Sequence, residues 1–272
     1  MPAEALALTL AAAVLHAGWN VFLRGSDDVE ARFAVVLGLS ILLFAPVAAA
    51  TWSVSGAVVP YIAASAAFEA VYFALLVAAY RRRELSVVYP VARGSAPLIV
   101  LLGTAVVLSR HVPASAVAGV CIIALGVLLV RGSGGGTEGV LVALAIGCAI
   151  AGYTLVDKDG LRHAGAIPYL ELVLGSVGLV ALPVVAARRG AQALRAQVTM
   201  TTALTAAASF GAYALVLAAL RLAPAPEVAA VRETSIVLAT LLAAVFLREH
   251  VGPRRLAGAA VVAGGVALIA LA

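Results

Sequence analysis

Long apolar runs separated by short polar links dominate the chain. Each run holds about 20 residues with few charges, the length that an α-helix needs to cross the hydrocarbon core of a bilayer. The runs lack the alternation of apolar and polar residues that is typical of a membrane β-strand. Because every backbone polar group must be paired inside lipid, the pattern predicts an all-α integral membrane protein with ten transmembrane helices. The predicted helices span roughly 3–24, 32–50, 58–80, 85–108, 113–130, 138–157, 166–187, 198–220, 226–247 and 253–271.

Composition supports this interpretation and excludes a soluble globular protein. Hydrophobic residues make up 64% of the chain, charged residues 11%, and the mean hydropathy is +1.12. A soluble domain carries about 25% charged residues, so this chain has too little polar surface to face water. The net charge of +5 comes from arginines at the ends of the predicted helices. At those positions they meet lipid headgroups, and we therefore expect no nucleic-acid partner.

The two halves of the chain repeat each other. The spacing from Arg93 to Arg232 equals the spacing from His111 to His250 and from Gly119 to Gly258. A flexible GSGGG segment at 132–136 divides the halves. The pattern predicts a five-helix repeat at 1–131, a linker at 132–137 and a second repeat at 138–272. Since five is odd, the second repeat enters the membrane from the opposite side, which predicts the inverted repeat that secondary transporters use.

Buried charges are the first candidates for function. Arg93 and Arg232 each lie about 7 residues inside a predicted helix, hence about 10 Å deep at about 1.5 Å per residue. An arginine at that depth costs about 2.5–3.5 kcal/mol unless it meets a carboxylate, water or ligand. The partners in reach are Glu69, Glu171 and Glu233, the last being the weaker candidate for a cavity wall because it faces away from Arg232. Either these charges only fix helix packing, or the arginines bind an anionic ligand and a glutamate binds an amine or a proton.

Further polar residues fall near the same helix ends and centres. His16 titrates near neutral pH and is either a proton relay or a packing residue. Trp19 and Tyr153 hold matching places in the repeats, as interface anchors or as ligand walls. With the charges above, the predicted substrate-binding residues are Arg93, Arg232, Glu69, Tyr72, Tyr89, His16, Trp19, Asn20, Tyr153 and Tyr213. The candidates for proton coupling are Glu69, His16 and Glu171.

Signatures of catalysis are missing from the sequence. It contains no phosphate-binding glycine loop, HExxH, CxxC or GxSxG motif. The four histidines are scattered, mostly at helix ends, so we expect neither a metal site nor another cofactor. An intramembrane enzyme or a scaffold therefore has no motif in its favour.

The chain resembles a known transporter family over essentially its whole length, and two segments carry the resemblance. YPVARGSAPLI at 89–99 with the run at 108–130, and VRETSIVLATLLAAVFLREHVGPRRLAGAAVVAGGVAL at 231–268, are similar to EamA-type members of the drug/metabolite transporter superfamily. Arg248-Glu249 stands where the family has a Gly-Glu turn, and Arg110 replaces the corresponding glutamate in the first half. The resemblance implies secondary transport of small metabolites, often amino acids. It also implies a central cavity lined by helices one, three, four, six, eight and nine.

The sequence carries two opposing indications of orientation. The family pattern implies that both termini are cytoplasmic. Arginines cluster in the links after the odd-numbered helices, and the positive-inside rule then predicts that both termini lie outside. The first helix has no basic segment before it, so we expect it to remain as a transmembrane helix. A multi-pass protein of the inner (plasma) membrane, monomeric or homodimeric, is the resulting expectation.

The functional hypothesis is alternating-access transport of a small anionic or zwitterionic metabolite, with protons as a further candidate partner. It predicts that Arg93→Ala and Arg232→Ala each abolish transport in a folded, inserted protein. The alternative is a flippase that moves a phosphate-headed lipid between leaflets, which requires a lateral opening and an amphipathic groove.

Overall fold

The computed structural model describes residues 1–23, 28–81, 85–130, 137–238 and 252–271. These residues form helices joined by short links. The helices are α1 (Ala3–Leu23), α2 (Val29–Ala50), α3 (Val59–Arg81), α4 (Leu85–Leu102), α5 (Ala114–Val130), α6 (Thr137–Gly160), α7 (Ala166–Ala196), α8 (Met200–Leu222), α9 (Ala225–Arg232) and α10 (Pro253–Leu271). A π-helical turn, Gly103–Val107, prolongs α4, and a 3₁₀ turn, Gly56–Val58, precedes α3. Residues 132–136 of the predicted linker at 132–137, the Arg248-Glu249 turn and His250 lie outside the described residues.

Most of the helices agree with the apolar runs of the sequence, but the predicted helix at 226–247 is described only as far as residue 238 and is interrupted at Glu233. Five segments of the described chain are long and apolar enough to cross a membrane: Val29–Ala50, Gly56–Ala79, Gly139–Gly160, Ala166–Ala196 and Met200–Leu222. Four shorter apolar segments accompany them: Ala3–Trp19, Val91–Val107, Ala114–Leu129 and Leu256–Leu271. The prediction of an all-helical, multi-pass membrane protein is confirmed. The count of ten membrane crossings stays a prediction.

Local sequence explains where several helices begin and end. Asp28 precedes α2, and its carboxylate accepts a hydrogen bond from the backbone N–H of Ala31, which satisfies one of the free donors of the first turn. Thr199 caps α8 in the same way through the N–H of Thr202. α7 runs beyond its predicted end, but its backbone leaves the helical conformation at Gly190, where φ is 80° and only glycine is unstrained.

Ion pairs join α2 and α7 outside the apolar core. The guanidinium of Arg189 lies 2.6 Å from Asp28 and 3.7 Å from Glu30. Burial alone would raise the pKa of Asp28, but the hydrogen bonds from Arg189 and from the Ala31 N–H outweigh it and lower that pKa. These contacts fasten the beginning of α2 to the polar end of α7.

The closest packing pairs helices from different halves of the chain. α1 packs on α8, α3 and α4 on α6, α2 on α7, and α5 on α10. The main apolar core lies where α2, α7 and α8 meet, around Tyr169, Leu170, Phe210 and Leu217. Neither half therefore forms a bundle of its own, and the core depends on contacts between the halves.

Glycines let α5 and α10 touch backbone to backbone. A Cβ atom on Gly126 would lie 2.9 Å from the carbonyl oxygen of Gly258 and 2.7 Å from Cγ2 of Val262. A Cβ on Gly119 would lie 3.2 Å from the carbonyl oxygen of Gly265. Gly119 and Gly126 thus provide small faces for close helix contact.

One end of the bundle is held together by backbone hydrogen bonds between the link before α3 and the link before α7. The N–H of Ser55 donates to the carbonyl of His163 over 2.9 Å, and the N–H of Gly165 donates to the carbonyl of Ser53 over 2.8 Å. These two bonds flank an isolated β-bridge between Val54 and Ala164. The two links are thereby fixed side by side.

Charged side chains reinforce the same end. Arg110, after α4, forms an ion pair with Asp159 at 2.9 Å. The ammonium of Lys158 donates to the carbonyl oxygens of Leu220 and Ala223 at the end of α8. We call residues 53–55, Arg110, residues 158–165 and Ala223 the latched face. Arg110, which stands where the family has a glutamate, thus forms an ion pair within the latched face.

We expect Gly126→Ala to destabilise the protein, because the new methyl group would collide with Val262 and the backbone of α10. Overpacking of this kind typically costs about 1–3 kcal/mol. Gly264→Ala is the matched control, because a Cβ there has no heavy atom within 4 Å. Thermal unfolding of the detergent-purified variants measures the difference, and equal melting temperatures would contradict the backbone contact.

Candidate functional site

A cavity lies between the two halves of the chain. It encloses about 920 Å³ of space, part of it open to the outside. The polar side chains in its wall come from α1, α2, α3, α4, α6, α8 and α9: His16, Trp19, Ser40, Glu69, Tyr72, Arg93, Tyr153, Ser209, Tyr213 and Arg232. α2 and α7 supply much of the apolar wall. The expected helices one, three, four, six, eight and nine therefore all contribute, together with two more.

Eight residues predicted from sequence meet in this cavity: His16, Trp19, Glu69, Tyr72, Arg93, Tyr153, Tyr213 and Arg232. Glu171 does not line it. The side chains of Asn20 and Tyr89 lie outside what the structure describes. Since the eight come from six different helices, the fold concentrates the polar side chains of the apolar segments in one place.

Arg93 is paired inside the protein. Its Nε lies 2.8 Å from Oε2 of Glu233, and its Nη2 donates a 2.9 Å hydrogen bond to Ser235. Glu233 is fully buried and Arg93 is 5% exposed. This pair joins α4 to the region just after α9. Its charges cancel within the wall of the cavity.

Arg232 has a different environment. It is 4% exposed, and its Nε and Nη2 have no hydrogen-bond partner among the described residues. The residues that follow the two arginines explain the difference. Arg232 is followed by Glu233 and, three positions on, by Ser235, whereas Gly94 and Ala96 stand at the same places after Arg93. Glu233 and Ser235 bind Arg93, whereas the first repeat has no acid or hydroxyl at the corresponding positions 94 and 96 that could bind Arg232.

Other unpaired donors and an acceptor share the wall. The indole Nε1 of Trp19 is buried and has no hydrogen-bond partner in the part of the chain that the structure describes. Trp19 packs edge-on against His16, with ring centroids 4.8 Å apart. Glu69 on α3 adds a carboxylate. The cavity thus combines N–H donors from Arg232 and Trp19 with the carboxyl group of Glu69.

Aromatic rings close one side of the cavity. Tyr153 contacts Tyr72 with ring centroids 6.1 Å apart, and it contacts Tyr213 at 5.7 Å. Both contacts are edge-to-face, the arrangement that aromatic quadrupoles favour. Tyr153 therefore belongs to the wall of the cavity.

Comparison with known proteins gives the family. Residues 137–271, the second half of the chain, match the EamA-like transporter family. The chain belongs to the EamA-like transporter family. A solved crystal structure shares its fold with a TM-score of 0.71 and 17% sequence identity, over 100% of this chain and 98% of that one. No curated protein sequence matches the chain.

The sequence reasoning missed one buried acid of this EamA-like transporter. Asp157 is fully buried and accepts hydrogen bonds from Ser65 at 2.6 Å, from Tyr169 at 2.8 Å and from Tyr213. It follows Tyr153 by one helical turn, and residues four apart share a helix face. That spacing was the available signal. Asp157 also stands next to Lys158 and Asp159 at the end of α6, where it resembles part of a solvated helix end.

Removing Arg93 should destabilise the transporter, because Glu233 would be left as a buried, unpaired charge. Breaking a buried pair from one side costs about 3–5 kcal/mol. We therefore expect Arg93→Ala and Glu233→Ala each to lower the melting temperature, and the double variant to lose less than the sum of the two. Thermal unfolding of the wild type, the two single variants and the double variant gives a double-mutant cycle. Additive losses would show that the two side chains do not interact.

Proposed function

We propose that the protein is a secondary transporter for a small anionic or zwitterionic metabolite, an amino acid or a related compound. The observation that carries the proposal is a set of donors in the cavity that have no partner among the described residues: Nε and Nη2 of Arg232 and Nε1 of Trp19. A buried N–H without a partner costs about 1–3 kcal/mol. A carboxylate or phosphate accepts hydrogen bonds only, and it is the ligand that satisfies such donors.

The charge balance of the cavity favours one negative group on the ligand. Glu233 neutralises Arg93, so the pair offers no net charge to a ligand. Arg232 remains as a cation with free donors, and Glu69 lines the same cavity. A zwitterion would place its carboxylate at Arg232 and its ammonium at Glu69. Arg232 is then the binding arginine, while Arg93 holds the site in shape.

The helix contacts support an inverted repeat. If α1–α5 correspond to α6–α10, exchanging the halves turns the α1–α8 contact into the α6–α3 contact. The same exchange returns α2–α7 and α5–α10 to themselves, and both pairs pack closely. It also turns the Gly119–Gly265 contact into the Gly258–Gly126 contact. A pseudo-two-fold axis relating the halves accounts for all four observations.

Alternating access follows from such a repeat. The latched face closes one end of the bundle, whereas the cavity reaches Trp19 and Phe33, near the end of α1 and the beginning of α2. Exchanging the conformations of the two halves would open the latched face and close the other end. The substrate would thereby face each side in turn.

The test is a thermal-shift screen of the detergent-purified protein with glutamate, leucine, malate, methylphosphonate, choline and a short-chain phosphatidic acid. A ligand at 100 times its dissociation constant should stabilise the protein by about 2.7 kcal/mol. We expect a carboxylate or phosphonate to raise the melting temperature and Arg232→Ala to abolish that shift. Arg162→Ala is the matched control, because Arg162 is an exposed arginine outside the cavity.

The outcomes of the screen separate the candidate functions. A shift with choline alone, or a carboxylate shift that survives Arg232→Ala, would contradict an anion site at Arg232. A shift confined to the phosphatidic acid would favour the flippase instead.

A further inference from the structure

Asp157 has a setting unlike that of Glu233, another fully buried acid. Glu233 is tied to the guanidinium of Arg93. No Lys, Arg or His nitrogen among the described residues lies within 4.0 Å of the Asp157 carboxylate, which is held by three hydroxyl groups instead. These hydroxyls come from α3, α7 and α8, so four helices meet at one carboxylate inside the apolar region.

Hydroxyl partners allow an acid to change its protonation state more readily than an arginine partner does. A guanidinium can only donate, so it favours the charged carboxylate, which accepts through both oxygens. A hydroxyl can donate or accept. When Asp157 is ionised, Ser65, Tyr169 and Tyr213 all donate to it. When it is protonated, its own O–H donates to one of them, and that hydroxyl turns its hydrogen elsewhere.

The other charged and titratable groups around Asp157 allow it to be either ionised or protonated. Tyr153 lies one turn before it on α6, and Glu69 lies one turn after Ser65 on α3. Arg232 interacts with it electrostatically, and Arg93 of α4 is occupied by Glu233. The neighbouring Lys158 donates to carbonyl oxygens at the end of α8.

The position of Asp157 connects the cavity with the latched face. Tyr213 lines the cavity and donates to Oδ2 of Asp157. Asp157 is three residues before the end of α6, hence about 4.5 Å from it at about 1.5 Å per residue, and Lys158 and Asp159 of the latched face follow it directly. Ser65 and Tyr169 both donate to Oδ1. One oxygen is therefore reached from the cavity and the other is bound to the helices that close the bundle.

We propose that Asp157 is the proton-carrying site of the transporter. A hydronium ion in the cavity gives its proton to the Tyr213 hydroxyl, which passes its own proton to Oδ2 of Asp157. The carboxylate becomes a neutral carboxylic acid, a water molecule remains, and Tyr213 is unchanged. One proton enters per cycle, and it leaves to water on the other side when the latched face opens.

Protonation also acts on the latch. The ionised carboxylate binds three donors and thereby ties α3, α7 and α8 to α6. The neutral acid holds them more weakly, because hydrogen bonds to a charged acceptor are roughly twice as strong as neutral ones. Proton uptake therefore favours separation of these helices at the face that must open. The proton's use in coupling rests on the proposed transport function, but the site itself can be tested without a substrate.

The test is infrared difference spectroscopy of the full chain in liposomes, between mildly alkaline and mildly acidic buffer, with the proton as the probe. We expect a carboxylic-acid C=O band to appear on acidification and to shift in D₂O. Asp157→Asn should abolish that band. Asp159→Asn is the matched control, because Asp159 is an acid at the same helix end but is paired with Arg110. This variant should leave the band in place.

Further variants separate titration from structural damage. Asp157→Glu should keep a carboxylic-acid band, and Tyr213→Phe should keep the band but slow its appearance after a pH jump. If Asp157→Asn does not fold, Asp157→Glu provides the test instead, because its carboxylic-acid band should be displaced from the wild-type frequency. A spectrum unchanged by both Asp157 variants would overturn the proposal. A failed ligand screen would not affect this band, so the proton site and the substrate site are refuted separately.

Discussion

The ion pair between Arg93 and Glu233 is the constraint on which the rest of the site depends. In a protein with 11% charged residues, a buried guanidinium and a buried carboxylate are each expensive, and both become tolerable only when they meet. Their meeting fixes α4 against the chain just after α9, so it joins the two halves at the cavity. It also uses up one arginine and one glutamate, and two donors of Arg232 then have no partner in the described part of the chain. The polarity of the cavity is therefore set by the groups that this pair does not neutralise, above all Arg232 and Glu69.

Three buried acids illustrate how partners determine what an acid can do. Glu233 is paired with the guanidinium of Arg93. Asp157 has only hydroxyl partners among the described residues, and these serve either protonation state. Glu69 lines the cavity itself, where a ligand can reach it. The same functional group thus has three different roles in one bundle, and the side chains around it decide among them.

The helices could be predicted closely from the sequence, because the thickness of the bilayer sets their length and charged links mark their ends. α7 exceeds its predicted end because residues after Arg188 are too polar for an apolar window, although they remain largely helical around Gly190. Eight cavity residues were predictable because a polar side chain inside an apolar run is costly and rarely placed without a partner or a purpose. Glu233 was one of three predicted partners for the arginines, but its pairing with Arg93 could not be selected, since no spacing along the chain gives the distance between α4 and the end of α9. Asp157 was missed because its neighbours are charged, so its burial became visible only in three dimensions.

The glycine contacts between α5 and α10 have a mechanical consequence. Two carbonyl oxygens, of Gly258 and Gly265, lie where even a methyl group on the facing helix would collide, so these helices cannot slide past each other by a fraction of a turn without steric conflict. None of the described side chains of these two helices lines the cavity. The pair is suited to act as a rigid frame, and any displacement that changes access to the cavity is left to the other helices, which move relative to this fixed reference.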